Sequence, residues 1–314
     1  EADGDGANTA CSADERGRAP LGLLWFGGNS HHDVLPRHGH GPSELVAGGR
    51  LFVQGTDSVS ARDVYTGTVL WKREFDTLGT FGIYYDDSYN PDPLDTSYNQ
   101  KHIAGANARG SNMVCTADAL YLARGDECLV LDAADGATGA VLGLPDTPTD
   151  ADEQRQWAYL GLCEDLLIAG LGFSNFKKDY GFGSRPWLDF DHVSSRGLAV
   201  LDRRTGEVLW QRAAVHGFRH NAIAVGADTL FCIDALPQPV AADLRNRGRA
   251  PASPPCLLAL DIRTGRERWR REEDVFGTWL GYSAPYDVLL QAGRHSRDML
   301  KGEPDRRAAA LRGA

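Results

Sequence analysis

Short apolar runs recur along the chain, each closed by glycine or polar residues. Leu51–Gly55, Leu120–Gly125 and Leu166–Gly170 are three of them, and Leu230–Asp234 repeats the pattern. Runs of this length that are rich in β-branched and aromatic residues and bounded by turn residues favour strands over helices. The chain is therefore predicted to consist mainly of short strands.

A turn sequence of the Asp-x-x-Thr-Gly type follows these runs and occurs four times. Its aspartate accepts hydrogen bonds from backbone amides two residues on, and its glycine supplies the positive φ that a tight hairpin needs. Each repeat is predicted to hold four strands, with this hairpin between the third and the fourth. The aspartates and glycines are Asp63 and Gly67, Asp132 and Gly136, Asp202 and Gly206, and Asp261 and Gly265; a tryptophan follows in three copies, as Trp71, Trp210 and Trp269.

Four-stranded repeats cannot bury both of their faces alone, so they must stack on one another. Radial stacking around a channel gives an all-β fold, the β-propeller, with four-stranded antiparallel blades. The recurring tryptophans are predicted to lie on the outermost strands and to press against the neighbouring blade, where a large flat ring buries most area.

Composition, charge and the absence of catalytic motifs argue against several classes of function. The 314 residues are 42% hydrophobic, which allows a large core, and no apolar run reaches the ~18 residues of a membrane helix, so no membrane span is predicted. The formal net charge of −10 disfavours nucleic acid as a partner. Motifs of serine hydrolases, zinc proteases and phosphate-binding loops are absent from the sequence, so the catalytic residues of any enzyme activity are unknown.

The segment Ala61–Trp71 resembles the blade signature of the pyrroloquinoline quinone (PQQ) repeat, Ala-x-Asp-x-x-Thr-Gly-x-x-x-Trp. Ala259–Trp269 matches it as well, and Val200–Trp210 departs from it only in the leading alanine. The resemblance covers residues 42–293 and implies a bacterial PQQ-like propeller.

The domain organisation follows from the repeats. Residues 1–20 are an N-terminal extension, and residues 21–314 are the propeller, with 21–28 as a closing outer strand that places Trp25 like Trp71. The fifth repeat stops before its hairpin, which fits either closure after five blades or a shortened seven- or eight-bladed propeller; we favour the second. The predicted blades are residues 36–75, 107–142, 157–213, 218–272 and 280–314.

Long connections are predicted at one end of the propeller, because blade-to-blade and second-to-third-strand connections emerge together in an up-and-down blade. We call this end the long-loop face. Long loops on a rigid scaffold commonly carry binding residues, so this face is the functional candidate. The long connections are residues 76–111, 143–156, 171–196, 234–255 and 294–307.

Polar residues start the innermost strand of several blades and are predicted to meet at the channel mouth on this face. Arginine, histidine and asparagine bind carboxylates and hydroxyl groups, which favours an anionic or hydroxyl-rich ligand. Alternatively, these side chains bind one another and channel water. The candidates are Arg37, His38, His40, Asn107, Asn112, Tyr159, Arg219, His220, Asn221 and Tyr282.

A metal site is not predicted, and the only weak candidates are His38 and His40. Alternate residues of a strand share a face and imidazole binds transition metals. Glycine-rich loops also collect histidines without metal, and no carboxylate spacing supports a site.

The resemblance implies two functions. One is a non-catalytic binding or assembly propeller, periplasmic or extracellular, with a protein or a small polar ligand as partner. The other is a PQQ-dependent dehydrogenase with PQQ over Ca²⁺, between a tryptophan and a disulfide of adjacent cysteines. Because the sequence has no adjacent cysteines, we favour the first, without a cofactor; saccharide binding is a third alternative.

Overall fold

The computed structural model describes residues 22–26, 33–35, 44–79, 81, 109–146, 155–181, 193–226, 228–293 and 307–312. Its first two blades are separate four-stranded antiparallel sheets in which each strand pairs with the next. The predicted all-β propeller blades are thereby confirmed, with strand ends shifted by one or two residues. Blade 1 contains β1 Leu45–Ala47, β2 Arg50–Gly55, β3 Ser58–Asp63 and β4 Val69–Glu74, and blade 2 contains β5 Met113–Cys115, β6 Ala119–Arg124, β7 Glu127–Asp132 and β8 Thr138–Gly143.

Blades 3 and 4 form one seven-stranded sheet. Their strands are β9 Trp157–Cys163, β10 Leu166–Phe173, β11 Ser194–Asp202, β12 Val208–Gly226, β13 Thr229–Asp234, β14 Cys256–Asp261 and β15 Glu267–Arg271. The long strand β12 ends blade 3 and begins blade 4, and its Phe218 lies opposite Ser195 on one side and Asp234 on the other. The chain is thus continuous where the sequence predicted a break between residues 213 and 218.

A buried carboxylate keeps β12 extended at this crossover. The side chain of Asp234 accepts hydrogen bonds from the backbone N–H groups of Val215, His216 and Gly217 at 2.6, 2.9 and 2.9 Å. The pairing of β12 with β11 is interrupted over these residues, so the carboxylate replaces a strand as their acceptor. A side chain from the next strand of blade 4 therefore decides the path between the two blades.

The last described unit has three strands, paired in chain order. They are β16 Trp279–Ser283, β17 Val288–Gly293 and β18 Arg307–Arg312, with a 3₁₀ turn at Ala284–Tyr286. The predicted third strand of the fifth repeat is therefore present. Whether residues 21–28 complete a blade stays a prediction, since residues 22–26 are not part of a strand.

The aspartate hairpins have the geometry that the sequence predicts. In blade 1, Asp63 accepts hydrogen bonds from the backbone N–H groups of Tyr65 and Thr66 at 3.0 and 2.8 Å and from the Thr66 hydroxyl at 3.0 Å. Gly67 has a φ of +73°, a conformation that side-chain-bearing residues rarely adopt. Blades 3 and 4 repeat these contacts at Asp202 and Asp261.

Three of the four hairpin glycines, Gly67, Gly136 and Gly265, pack against a tryptophan ring that precedes them in the chain. The indole N–H of Trp71 donates to the Ala133 carbonyl at 3.0 Å, and its ring covers Gly136 so closely that a Cβ would lie 2.8 Å from it. Trp210 makes the same contacts with Ile262 and Gly265. Contact with the neighbouring blade is therefore confirmed for both tryptophans, and Trp269 packs beside Phe231.

Trp25 makes the corresponding contact on blade 1. Its indole N–H donates to the Val64 carbonyl at 2.8 Å, and its ring covers Gly67. Leu23 and Leu24 before it are exposed, as are Val69 and Leu70 before Trp71. Residues 22–26 thus contact blade 1 in the way that an outer strand contacts the next blade.

The junction between blades 2 and 3 lacks the tryptophan and uses two other residues. Leu142 packs against Gly206, where a Cβ would lie 2.9 Å from its side chain. The guanidinium of Arg203 donates to the Tyr121 hydroxyl at 3.0 Å, which bridges the same two blades. At the junctions of blades 1 and 2 and of blades 3 and 4, one indole supplies both an apolar contact and a hydrogen bond. Here Leu142 supplies the apolar contact and Tyr121 takes part in the hydrogen bond.

The core lies between successive sheets. One cluster joins blade 1 to blade 2, a second joins blade 2 to blade 3, and further clusters join blade 3 to blade 4 and blade 4 to the last unit. Successive residues of β12 alternate between two of these clusters, since Ile223 belongs to one and Ala224 to the next. This period of two is what a strand between two neighbouring blades requires.

Candidate functional site

Two insertions on the long-loop face fold into helices that the sequence did not predict. They are α1, Phe176–Tyr180, and α2, Gln238–Asn246. We call the described parts of the insertions, residues 171–181, 193–197 and 234–255, the cap. Its core is an apolar cluster formed by Phe176, Val193, Leu236, Val240 and Leu244.

The cap lies at the end of blades 3 and 4 where the crossover of β12 joins them. Its first insertion leaves the sheet at Phe173, opposite Ser195, and its second leaves at Asp234, opposite Cys256. Both points adjoin Phe218 of the crossover. The tight aspartate hairpins lie at the other end of these strands, so the predicted grouping of long connections at one end holds for blades 3 and 4.

A cavity of about 490 Å³ lies between the cap and the crossover. Tyr180 and Asp179 line it from α1, and Arg196 and Arg212 line it from β11 and β12. Arg196 donates to both oxygens of Asp179 at 3.0 and 3.3 Å, and Arg212 donates to Glu267 at 3.0 Å. The full lining is Leu171, Asp179, Tyr180, Arg196, Gly197, Gln211, Arg212, Ala213, Ala214, Val215 and His216.

A second cavity of about 550 Å³ lies within the second insertion. Pro251, Pro254 and Pro255 form an apolar wall on one side, and α2 contributes Arg245 on the other. His216 lines this cavity as well as the first one. The two cavities are therefore neighbours that share one histidine.

The hydrogen-bond partners of His216 assign its tautomer. Its Nε2 lies 3.0 Å from the Ser253 carbonyl oxygen, which can only accept, so Nε2 carries the proton. Nδ1 then accepts from the Tyr180 hydroxyl at 3.4 Å. Although the Ser253 hydroxyl also lies 3.0 Å from Nε2, the protonated nitrogen cannot act as its base.

Tyr180 is half-buried beside His216. Its ring stacks on Phe176 at 6.5 Å between centroids. Burial raises the pKa of the Tyr180 phenol, and the nearby carboxylates of Asp179 and Asp234 raise it further. The phenol is consequently neutral over the physiological range and donates its hydrogen bond to the imidazole.

The predicted channel-mouth residues divide into several groups. Tyr159 and His220 are brought together, with rings stacked at 5.7 Å. His220 donates from Nδ1 to the Arg109 carbonyl oxygen and accepts at Nε2 from the Ser195 hydroxyl at 2.8 Å. All four predicted positions Arg37, His38, His40 and Asn107 lie outside the described residues.

Arg109 and Phe173 complete a closely packed group at this mouth. The Arg109 guanidinium lies over the rings of Phe173 and Phe81, at 4.5 and 4.7 Å from their centroids. His220 and Ser195 are fully buried. This group therefore joins the inner ends of blades 2, 3 and 4 through mutual contacts.

The other predicted mouth residues that the structure describes lie in different environments. Asn112 is fully buried, and its side-chain amide has no hydrogen-bond partner among the described residues. Arg219 is buried and Asn221 is half-buried on β12. Tyr282 lies at the tight-turn end instead, where its ring meets Gly226 and its hydroxyl donates to Asp287 at 2.9 Å, because β16 begins at the mouth with Trp279 and runs away from it.

The described residues do not fit PQQ held between a tryptophan and a disulfide of adjacent cysteines. The described cysteines Cys115, Cys128, Cys163, Cys232 and Cys256 are all free, and none is adjacent to another in the sequence. Within the described ranges no group of three or more histidine, cysteine, aspartate or glutamate side chains could hold a metal ion. No chemical step is therefore assigned to this cofactor.

Sequence reasoning did not find the residues of the cap cavities. The one relevant signal in the sequence was the length of residues 171–196 and 234–255, which predicted the long-loop face on which the cap lies. His216 was not among the candidate residues predicted from the sequence. Its partners Tyr180 and Ser253 are 36 and 37 residues away, so no local spacing indicates them.

The family follows from a comparison of the whole repeat pattern. Residues 22–278 match the model of a PQQ-repeat family described as outer membrane protein assembly factor BamB. The chain belongs to this family. A comparison with the curated proteins finds no match.

Two solved structures that align with TM-scores above 0.5 agree with the propeller fold. A quinohemoprotein alcohol dehydrogenase from Comamonas testosteroni aligns with a TM-score of 0.51 at 14% identity, over 86% of this chain and 39% of its own. One from Pseudomonas putida aligns with a TM-score of 0.52 at 14% identity, over 86% and 40%. BamB from Moraxella catarrhalis aligns with a TM-score of 0.41 at 12% identity, over 86% and 64%. The chain thus spans about two fifths of either dehydrogenase.

No described helix has the length and apolar character needed to cross a membrane.

Proposed function

We propose that this chain is a non-catalytic binding propeller of the bacterial cell envelope that takes up a protein partner on its long-loop face. The observation that carries the proposal is the cap, which encloses two neighbouring cavities at the crossover of blades 3 and 4. Concave sites between elements of a rigid scaffold are the usual places for ligands. Family membership adds support, since the family's description is an assembly factor.

The two serine–histidine contacts support binding rather than catalysis. His216 holds its proton on the nitrogen that faces Ser253 and so cannot activate that hydroxyl. His220 accepts from Ser195, as a general base would, but both side chains are fully buried beneath Tyr159 and Phe173. A general base must reach a substrate to act.

Peptide binding to the purified protein tests the proposal. The probes are three pools of fluorescent 12-residue peptides, each with Val, Leu and Pro at alternate positions and with Glu and Asp, Ser and Gln, or Lys at the others. We expect at least one pool to raise the anisotropy at micromolar protein, within the usual range of peptide recognition. Gln238→Trp, which puts an indole into the second cavity, is expected to weaken this binding about tenfold.

Two controls make the result decisive. Arg204→Trp puts the same ring on an exposed aspartate hairpin at the other end and should leave binding within about twofold. Absence of binding by every pool, or equal losses in both variants, would contradict the proposal. So would stoichiometric uptake of added PQQ and Ca²⁺ accompanied by reduction of a dye in the presence of an alcohol or a sugar.

A further inference from the structure

The cap has the opposite charge to the rest of the molecule. Over the residues that define the cap, 171–181, 193–197 and 234–255, six basic residues exceed three acidic ones, whereas the whole chain has a formal net charge of −10. A local excess of one sign steers partners of the other sign toward that surface. The cap therefore favours an acidic partner despite the acidity of the chain.

The described carboxylates of the cap all form ion pairs or hydrogen bonds inside the protein, whereas some of its arginines form no ion pair within the described part of the chain. Asp179 binds Arg196 and Asp243 binds Arg247, at 3.0 and 2.8 Å. The third carboxylate, Asp234, accepts three backbone N–H groups at the crossover. Each acidic residue that the structure describes in the cap thus already has a partner inside the protein.

Two exposed arginines, Arg245 and Arg249, form no ion pair with any residue that the structure describes. Arg245 projects from the last turn of α2 and lines the second cavity. Arg249 follows the helix, and its guanidinium donates to the Tyr180 carbonyl at 3.3 Å, so it lies close to the wall of the first cavity. Guanidinium groups bind carboxylates in a planar, bidentate manner.

The shape of the site favours a peptide over a sugar. A ligand that enters both cavities must pass over His216 and is therefore elongated. Prolines line the second cavity and offer an apolar wall for an aliphatic or proline side chain. Sugar sites use open aromatic faces, whereas Tyr180, the phenol ring at the first cavity, stacks on Phe176.

We infer that the cap binds an acidic peptide segment in an extended conformation. Its carboxylates contact Arg245 and Arg249, and its backbone passes over His216 between the two cavities. This inference rests on the proposed function, because it names the partner class for the same face. The inference requires that peptide binding depend on charge, whereas the proposed function alone does not require this.

Charge reversal at the two arginines tests this inference with the same three pools. The acidic pool is expected to bind at least about tenfold more tightly than the Ser/Gln pool and to lose most of that preference at 0.5 M NaCl, because salt screens exposed charges. Arg245→Glu combined with Arg249→Glu should weaken acidic-pool binding about tenfold or more and should improve binding of the Lys pool.

Arg204→Glu combined with Arg266→Glu is the matched control, since it reverses two exposed arginines on aspartate hairpins at the opposite end. It should change binding by less than about twofold. An equal loss in this variant would assign the preference to overall charge and overturn the inference.

Two further outcomes separate the possible failures. Equal binding of the acidic and Ser/Gln pools overturns the acidic specificity and leaves the proposed function standing, whereas absence of all binding contradicts both. Competition by polygalacturonate at the same carboxylate concentration as the acidic peptides would overturn the choice of a peptide in favour of an acidic saccharide. Circular dichroism melting curves confirm that each variant is folded before its binding is compared.

Discussion

At the scale of the residue, the hairpin aspartates determine local structure through hydrogen bonds to the ionised carboxylate. Backbone N–H groups of the turn hold the pKa values of Asp63 and Asp202 below the ordinary value, with the Thr66 and Thr205 amides as the largest causes. At Asp261, a hydrogen bond from Arg268 lowers the pKa to about 2. The same turn therefore favours the ionised form in three blades.

Acid should weaken the blade 4 hairpin in a defined pH range. Because the pKa of Asp261 is lower in the folded protein, its stabilisation is complete above the ordinary value near 3.8 and is lost as the pH falls toward about 2. Urea unfolding between pH 6 and pH 2 should show this loss in the natural protein. Asp261→Asn should be less stable at pH 6 and lose less between pH 4 and pH 2, and Arg268→Gln should act in the same direction. Parallel pH curves for all three proteins would contradict the assignment.

At the scale of the element, the fit between an outer strand and the next hairpin depends on a missing side chain. Gly136 has a φ of +75°, and a Cβ there would lie 2.8 Å from the Trp71 ring. Gly125 has a φ of +60° with nothing within 4 Å. The two glycines thus share a left-handed backbone and differ in the ring contact.

Alanine substitution at these glycines should separate backbone strain from the clash with the indole. Gly125→Ala is expected to cost about 1 kcal/mol, the penalty of a left-handed alanine. Gly136→Ala should cost about 1–3 kcal/mol more, because the indole must move from its site. Urea unfolding provides the free energies. Equal losses in the two variants would show that the contact between Trp71 and the hairpin is unimportant for stability.

At the scale of the whole molecule, the blades are joined by two kinds of connection. Blades 1 and 2 are separate sheets held by side-chain packing, with Trp71 at the junction. Blades 3 and 4 also share the backbone of β12, which belongs to both. These two junctions should therefore respond differently when the tryptophan is removed.

Hydrogen exchange can detect this difference. Trp71→Ala is expected to cost about 3–5 kcal/mol, as large-to-small changes in cores do, and to reduce amide protection mainly in β1–β4. Trp210→Ala should cost less, because Trp210 is half-buried, and should reduce protection in β9–β15 together, since β12 couples the two blades. Selective exchange of blade 4 without blade 3 in the second variant would contradict this coupling.

Most of the fold and little of the site were predictable from the sequence. Hairpins such as Asp63–Gly67 are stabilised by contacts within a few residues, so their pattern appears directly in the chain. Tyr159 and His220 stack on each other, and His220 is also hydrogen-bonded to Ser195 and Arg109, whereas their role in binding a ligand stays a prediction. The cap cavities were missed because their walls come from residues far apart in sequence.

The strands, the hairpins and the stacking of blades could be predicted from the amino-acid sequence, because strand periodicity, turn geometry and a repeated indole are local properties of the chain. Long-range contacts in the folded protein show in addition that blades 3 and 4 share one strand, that Leu142 and Tyr121 replace the tryptophan at one junction, and that His216 lies between two cavities. Each of these depends on the distance between side chains brought together by folding. Asp234 illustrates the reason, since its carboxylate directs the crossover through backbone groups up to 19 residues away.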